Sequence, residues 1–290
     1  MNDRLARSLV RQPTGAYVVF PSDDVLARDL AAAAGERLLA IRATTPDHDD
    51  QRRRAGDLGS QEYIAAELAR LRPEDAVLSE EAADDKARLR ADRVWIVDPL
   101  DGTREFGEEG RVDWAVHVAL WERWPREPNG ALRAPGGEWG KHGELTAGAV
   151  ALPAQGTVLS TAEPPPSPKP TAAGAPLRLV VSRSRPPEFV ASLAGQIGAE
   201  LVPLGSAGAK AAAVITGEVD AYVHAGGQYE WDTAAPVAVA RAAGLHTSRI
   251  DGSRLGYNSE QPWMPDILIC PVSLASLLLG AISAVRQGAS

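Results

Sequence analysis

The sequence WIVDPLDGTREF, residues 95–106, decides how this chain is organised. Its start favours a β-strand, Pro99 then fixes one backbone torsion, and Gly102 permits a tight turn. Asp98 and Asp101 are thereby held on one loop, where their carboxylates and an intervening backbone carbonyl can converge on a hard cation. The amides that follow can open a short helix and offer N–H donors to an anion. The stretch indicates a metal site beside a phosphate site, although an acidic turn with a helix-capping aspartate explains it equally well in isolation.

Two other acidic motifs lie far from this stretch in the chain. Ser79-Glu80-Glu81 directly follows a strand pattern at 76–78, and Glu230-Trp231-Asp232-Thr233 opens an apolar helical pattern. Each has an ordinary structural interpretation, a solvated strand exit for the first and a helix N-cap for the second. The functional interpretation of these two motifs depends on their order along the chain relative to residues 95–106.

The ordered triple S-E-E, D-P-L-D-G-T and W-D-T-A-A-P resembles the inositol monophosphatase superfamily of magnesium-dependent, lithium-sensitive phosphatases. Arg104-Glu105-Phe106 after the threonine, and Val181-Ser182-Arg183-Ser184, are similar to the bacterial CysQ-type branch. The resemblance spans most of residues 22–285. Ser79 departs from it, since the family commonly has glycine before the paired glutamates. The insertion at 122–143 and the Pro-rich segment at 153–176 also depart from the family pattern.

The resemblance implies a site residue by residue. The metal ligands it implies for Mg²⁺ are Glu80, Asp98, Asp101, Asp232 and the carbonyl of Leu100. Asp57 and Thr103 would position and deprotonate the attacking water, with Glu80 as a further catalytic residue. The substrate-binding residues expected are Asp101, Gly102, Thr103, Arg104, Ser206, Glu230 and Asp232. Because clustered carboxylates either protonate or require cations, about two or three Mg²⁺ ions would offset a charge of about −5.

The activity that the resemblance implies is removal of the 3′-phosphate of adenosine 3′,5′-bisphosphate, which yields AMP and clears a by-product of sulfate assimilation. Inositol-1-monophosphatase or fructose-1,6-bisphosphatase activity, or broad specificity, is the alternative. A catalytically silent metal-binding scaffold is a third reading, and the complete set of acids argues against it. A homodimer is also implied.

Composition limits the partners. Thirty Lys and Arg against 38 Asp and Glu give a net charge of −8, which repels polymeric nucleic acid, so a small phosphorylated substrate is expected. The sequence has no apolar run of the roughly 20 residues needed to span a bilayer, so no membrane partner is expected. Cys270 is the single cysteine and cannot form an internal disulfide. The first 20 residues lack the continuous apolar core of a secretory signal, which favours a cytoplasmic protein.

Hydrophobic periodicity predicts α/β layering with mixed sheets, and the resemblance narrows this to a five-layer αβαβα sandwich. Helices are predicted over 23–41, 64–71, 187–197, 206–215, 231–243 and 272–285, with Asp57 just before the second. Strands are predicted over 76–78, 94–97, 114–121, 145–152, 177–181, 221–224 and 267–270. Two lobes, 1–155 and 177–290, are expected on either side of a Pro-rich linker at 156–176 that interrupts any sheet. Residues 122–143 are expected to form a long hairpin excursion.

Overall fold

The structure is a computed structural model that describes residues 8–11, 17–45, 49–125, 142–169, 174–184 and 186–288. Its α-helices are α1 (Asp23–Thr44), α2 (Asp49–Leu71), α3 (Thr103–Gly107), α4 (Glu188–Ile197), α5 (Ala207–Ile215), α6 (Glu230–Ala242) and α7 (Val272–Gly288). Its strands are β1 (Ser8–Arg11), β2 (Tyr17–Phe20), β3 (Ala76–Ser79), β4 (Arg93–Asp101), β5 (Ala115–Arg123), β6 (Gly143–Leu152), β7 (Thr157–Ser160), β8 (Arg178–Ser182), β9 (Glu200–Leu204), β10 (Ala221–Tyr229), β11 (His246–Ser248) and β12 (Trp263–Cys270). Short 3₁₀ helices span Lys86–Arg90 and Pro153–Gln155.

Two five-stranded mixed sheets form the framework. The first has the order β3-β4-β5-β6-β7, with β3 parallel to β4 and the other neighbours antiparallel. The second has the order β11-β12-β10-β8-β9, with β8 parallel to both of its neighbours. β1 and β2 form a separate antiparallel pair. Since parallel strands need long crossovers, the helices between them are placed on the faces of the sheets.

Alternation along β4 shows how the first sheet divides two cores. Trp95 and Val97 pack with α1 and α2 on one face, whereas Val94 and Ile96 pack with α5 and α6 on the other. This is the period of two expected for a strand that is buried on both sides. A third core joins the outer face of the second sheet to α4 and α7. The resulting order of helix pair, sheet, helix pair, sheet, helix pair confirms the predicted five-layer αβαβα sandwich.

The structure corrects several boundaries. α2 begins at Asp49, so Asp57 lies inside this helix rather than before it. The predicted linker contains β7, which pairs with β6 and extends the first sheet, so this segment does not interrupt every sheet. β9 and β11 were not predicted from the sequence, and both are short strands at the edges of the second sheet. The division into lobes at 155 and 177 stays a prediction.

The hairpin excursion has paired ends. Arg123 of β5 lies opposite Gly143 of β6 in the antiparallel register, as an excursion between neighbouring strands requires. Residues 126–141 of this segment lie outside the described residues. Among the described residues, no helix combines the length and the apolar character needed to cross a membrane.

Candidate active site

A β-bulge at the end of β4 directs two aspartates to the same face of the first sheet. Asp98 lies opposite His117 of β5, but Asp101 lies opposite Ala115, so β4 contains one extra residue between them. In a regular strand, side chains three positions apart point to opposite faces. Because the bulge offsets the alternation by one residue, the carboxylates of Asp98 and Asp101 both face the helical layer that contains α5 and α6. The motif of residues 95–106 therefore depends on a bulge to form a site.

Asp232 completes the cluster from the N-terminal turn of α6. Its Oδ2 accepts a hydrogen bond at 2.5 Å from the backbone N–H of Tyr229, which is the N-cap of α6. Asp232 is therefore the N3 residue of a capping box rather than the N-cap that the sequence pattern suggested. Capping does not exclude a role in binding metal, because ligand atoms of Asp98, Asp101 and Asp232 all lie within 4.8 Å of one another. Three acids predicted from distant parts of the sequence are thus brought together.

Asp101 is tied to α5 as well. Its Oδ1 accepts the Ala207 N–H at 3.1 Å and its Oδ2 accepts the Gly208 N–H at 2.5 Å. His117 Nε2 lies 3.2 Å from Asp101 Oδ2, while His117 Nδ1 lies 3.0 Å from the Trp231 carbonyl oxygen. The His117 side chain is fully buried and joins β4, β5 and α6.

The acids repel one another electrostatically. Burial, reinforced by Asp101, raises the pKa of Asp232 to about 6. Burial and Asp232 raise the pKa of Glu80 to about 7, although a hydrogen bond with Asp98 opposes the shift. Burial and Glu80 raise the pKa of Asp98 well above its ordinary value. In Asp101, by contrast, His117 and Lys210 overcome the effect of burial and hold the pKa below its ordinary value.

This donor set fits a divalent cation. Carboxylate oxygens are the ligands that hard cations prefer, and the pKa values of Glu80, Asp98 and Asp232 are raised by burial and by repulsion from neighbouring acids. Glu80 lies at the edge of the cluster, since the close group consists of Asp98, Asp101 and Asp232. A bound cation would offset this repulsion.

Asp57 and Thr103 meet beside the bulge. The Thr103 hydroxyl lies 3.2 Å from Asp57 Oδ1 and 3.0 Å from the Leu100 carbonyl oxygen, so it can donate to either. Burial, with a contribution from Glu81, raises the pKa of Asp57 to about 6. Gly102, just before Thr103, has a φ of 83°, which glycine adopts without strain and which starts α3 directly after the strand.

A cleft of about 930 Å³ opens from these residues. Asp101, Gly102, Thr103, Arg104, Ser206 and Asp232, all predicted to bind substrate, line it. Ser206 also caps α5, because its Oγ accepts the Ala209 N–H at 3.0 Å. The Arg104 guanidinium is exposed and bonds to Glu108 at the rim.

Lys210, which no sequence motif singled out, is a cation that lines the same cleft. It is the only charged residue in α5, whose other residues are small or apolar. Its Nζ donates to the carbonyls of Gly205 at 2.5 Å and Ser206 at 2.7 Å, and burial lowers its pKa. An isolated lysine in an apolar helix is itself a signal, because an unpaired buried ammonium is costly.

The structure contradicts a substrate-binding role for Glu230. Its side chain is fully buried, and its two carboxylate oxygens accept the backbone N–H groups of Asn258 at 2.7 Å and Ser259 at 2.8 Å. Asn258 in turn binds the buried guanidinium of Arg88, which also forms a bidentate pair with Asp84. Glu230 therefore holds a loop behind α6 and does not face the cleft.

Arg183 and Glu105 belong to two sequence motifs far apart in the chain, and they form an ion pair. Arg183 follows β8, and its Nη2 donates to Glu105 Oε1 at 2.8 Å and to Glu108 at 3.0 Å. Glu105 and Glu108 flank the end of α3, so this contact joins the second sheet to the helix that begins with Thr103. The Nη2 group of Arg183 is thus engaged by two protein carboxylates.

The fold and the acidic cluster define a layered α/β protein with a group of carboxylates, able to hold a metal ion, beside a cleft. The sequence pattern of the inositol monophosphatase family matches residues 23–284. The chain belongs to this family of phosphatases, which is metal-dependent, and the three clustered aspartates could hold a metal ion.

Individual relatives agree with this. A 3′-phosphoadenosine 5′-phosphate phosphatase of Mycobacterium leprae (strain TN) is 49% identical over 271 residues, which cover 92% of this chain and 95% of that protein. A 3′(2′),5′-bisphosphate nucleotidase CysQ of Escherichia coli (strain K12) is 28% identical over 72% of this chain and 81% of that protein. The solved structure of a Thermotoga maritima IMPase superposes with a TM-score of 0.69 at 18% identity, and covers 92% of this chain and 98% of that one. This structural likeness bears on the fold alone.

Proposed function

We propose that this chain is a Mg²⁺-dependent phosphatase that hydrolyses the 3′-phosphate of adenosine 3′,5′-bisphosphate to give AMP and phosphate. The observation that carries the proposal is the meeting of Asp98, Asp101 and Asp232 within 4.8 Å at one end of a cleft large enough for a nucleotide. The similarity to the M. leprae phosphatase supports the choice of substrate. A role in sulfate assimilation, a homodimer and a cytoplasmic location, which the sequence resemblance implies, belong to the same proposal.

The proposed metal ligands are the carboxylates of Glu80, Asp98, Asp101 and Asp232 and the carbonyl of Leu100. When bound, Mg²⁺ ions supply positive charge for the phosphoryl oxygens and make water more acidic. A phosphate monoester brings about two further negative charges, so a site made only of carboxylates would repel the substrate.

Asp57 is the proposed acceptor of the proton from the attacking water. A carboxylate with a pKa of about 6 is a stronger base than an ordinary aspartate and is still mostly ionised at neutral pH. The Thr103 hydroxyl, 3.2 Å away, can orient this carboxylate and share the water with it. Hydrolysis by a positioned water needs no covalent intermediate with the protein.

The charge of Lys210 favours the binding of an anionic substrate. Its ammonium group lines the cleft and is buried, so it acts in a region of low dielectric where its charge is poorly screened. It lowers the cost of bringing a phosphate beside the acids.

The test compares kcat/KM for adenosine 3′,5′-bisphosphate, inositol 1-phosphate and fructose 1,6-bisphosphate, with Mg²⁺ and with a chelator. We expect the nucleotide to be preferred and all phosphate release to stop without metal. Asp98→Asn is the matched inactive variant, because an asparagine Oδ1 can still accept the Leu100 N–H that Asp98 accepts at 3.0 Å. A preference for inositol phosphate would overturn the nucleotide assignment, and turnover in the chelated enzyme would overturn the metal assignment.

A further inference from the structure

An exposed tryptophan lines the cleft beside the acid cluster. Trp263, the first residue of β12, is 53% exposed, whereas Trp95, Trp114 and Trp121 are buried in the cores. The same cleft is lined by Trp263 and by Asp232. A large aromatic side chain left open to a ligand cleft is a feature that calls for a binding partner.

The backbone of β10 holds this indole in place. Trp263 lies directly opposite Tyr229 in the antiparallel register, and the Glu230 N–H donates to the Pro262 carbonyl at 2.8 Å. A β-bulge lies between Ala225 and Gln228, and it contains Gly227. A Cβ atom at Gly227 would lie 2.5 Å from the indole Nε1 of Trp263, so the ring packs on this glycine.

Trp263 is joined to the acidic cluster through its cross-strand neighbour. Tyr229, its cross-strand neighbour, is the residue whose N–H donates to Asp232. The Tyr229 ring is already stacked on Trp231, with ring centroids 4.7 Å apart and planes 8° apart. Among the described residues, Trp263 has no such aromatic partner, so its ring is the one available to a planar ligand.

We infer that Trp263 is the surface on which the nucleobase of the substrate stacks, and that Gly227 seats its indole. The inference rests on the proposed function, since a nucleoside phosphate brings a planar aromatic base into the cleft and an inositol or fructose phosphate does not. Aromatic side chains stack on any base through their π-faces, in an offset or edge-on arrangement. Trp263 is therefore a specificity-determining residue for nucleoside bisphosphates over phosphates without an aromatic ring.

The experiment compares Trp263→Ala and Trp263→Phe with the wild type on adenosine 3′,5′-bisphosphate and on inositol 1-phosphate. Trp263→Ala should raise KM for the bisphosphate roughly 5- to 100-fold, the range expected for loss of one stacked base, with little change in kcat. Trp263→Phe, which keeps a ring, should retain most of the affinity. Trp263→Ala should also lower kcat/KM for inositol 1-phosphate less than it lowers kcat/KM for the bisphosphate. The factor of loss should differ by at least about fivefold between the two substrates.

Two further variants test the placement of the ring. Gly227→Ala keeps Trp263 but displaces its indole and, because Gly227 has a φ of 93°, also strains the β-bulge, so it should raise KM for the bisphosphate as well. Leu277→Ala on α7 removes a side chain of similar exposure, 52%, away from the cleft and should leave both substrates unaffected. Titration with AMP should quench part of the intrinsic tryptophan fluorescence of the wild type. This quenching should be absent in Trp263→Phe, which lacks the indole.

The outcomes separate the inference from the proposed function. A wild type that does not hydrolyse the bisphosphate refutes the proposed function. If the wild type hydrolyses the bisphosphate but Trp263→Ala is unimpaired, or equally impaired on both substrates, the stacking inference is refuted and the proposed function is not. A change of oligomeric state in Trp263→Ala, with unaltered KM, would assign the indole to a subunit interface and also overturn the inference.

Discussion

Removal of divalent metal should reverse the usual dependence of stability on pH. Burial raises the folded-state pKa of Asp57 and of Asp232 to about 6, from an ordinary value of 3.8. A raised carboxyl pKa means that the folded protein holds the proton more tightly than the unfolded chain does. The stability this contributes is complete below the unfolded pKa and is lost as pH rises through the folded pKa. We therefore predict that the metal-free protein is more stable at pH 5 than at pH 8.

The size of the effect follows from these pKa values. For one group shifted from 3.8 to about 6, linkage gives about 1.4 kcal/mol at pH 5 and almost nothing at pH 8. Solvent reaches part of both side chains and screens their charges, so for the pair we expect about 2 kcal/mol. In a chain of this size that corresponds to a rise in Tm of roughly 4–8 °C on going from pH 8 to pH 5.

The assay is thermal unfolding in a chelating buffer between pH 5 and pH 8. Asp232→Asn removes the charge and keeps an oxygen for the Tyr229 N–H, so it should raise the metal-free Tm at pH 8 and flatten the profile. Asp92→Asn, at a side chain that is 86% exposed, should leave the profile unchanged. Mg²⁺ at about 100 times its Kd should add about 2.7 kcal/mol at pH 8 and less at pH 5, where protons compete for the ligands. A metal-free Tm that increases from pH 5 to pH 8 would refute the reasoning, as would an unchanged profile in Asp232→Asn.

Two other predictions concern single side chains. Asp57→Asn should lower kcat by roughly 10²- to 10⁴-fold with little change in KM, because it removes a proton acceptor and keeps the shape of the side chain. Initial-rate kinetics measure this change. A kcat within threefold of wild type would show that Asp57 is not the proton acceptor. Arg88→Met should lower the free energy of unfolding by about 3–5 kcal/mol, because it leaves the Asp84 carboxylate and Asn258 without their buried partner. Urea denaturation checks this against Lys86→Met, whose exposed ammonium also bonds Asp84 and should be worth less than about 1 kcal/mol. Equal losses in the two variants would contradict the importance of burial.

Some elements could be predicted because their signals are local. β4 begins with β-favouring residues, contains Pro99 near its end and is followed by Gly102, and Ser206 precedes a run of small helix-forming residues that it caps. The start of α2 lacked such a signal. Arg52, in its charged first turns, is buried and donates to the Gly107 carbonyl at 2.9 Å, so a charged residue occupies an inward position that hydrophobic periodicity cannot reveal.

The same limit explains the error at Glu230. An acid beside a metal-binding motif suggests contact with substrate, but its partners, Asn258 and Ser259, lie far along the chain. Nothing near Glu230 in the sequence shows that two backbone N–H groups from another loop satisfy its carboxylate. Trp263 was missed for a related reason, since it has no neighbour in the sequence that marks it as facing the cleft. Lys210 did have a local signal, its isolation among the small and apolar residues of α5, but only the packing of α5 shows that it lines the cleft.

The sequence by itself determined which acids stand at the ends of strands and the starts of helices, because propensity, capping and turn chemistry act over a few residues. Only the tertiary structure decided that Asp98 and Asp101 share one face, since that depends on the register of β4 against β5 and on one extra residue between them. It also decided that Asp232 comes within 4.8 Å of both. The physical reason is that register and layer packing are set by contacts between residues distant in the chain, where the burial of many side chains together selects one arrangement.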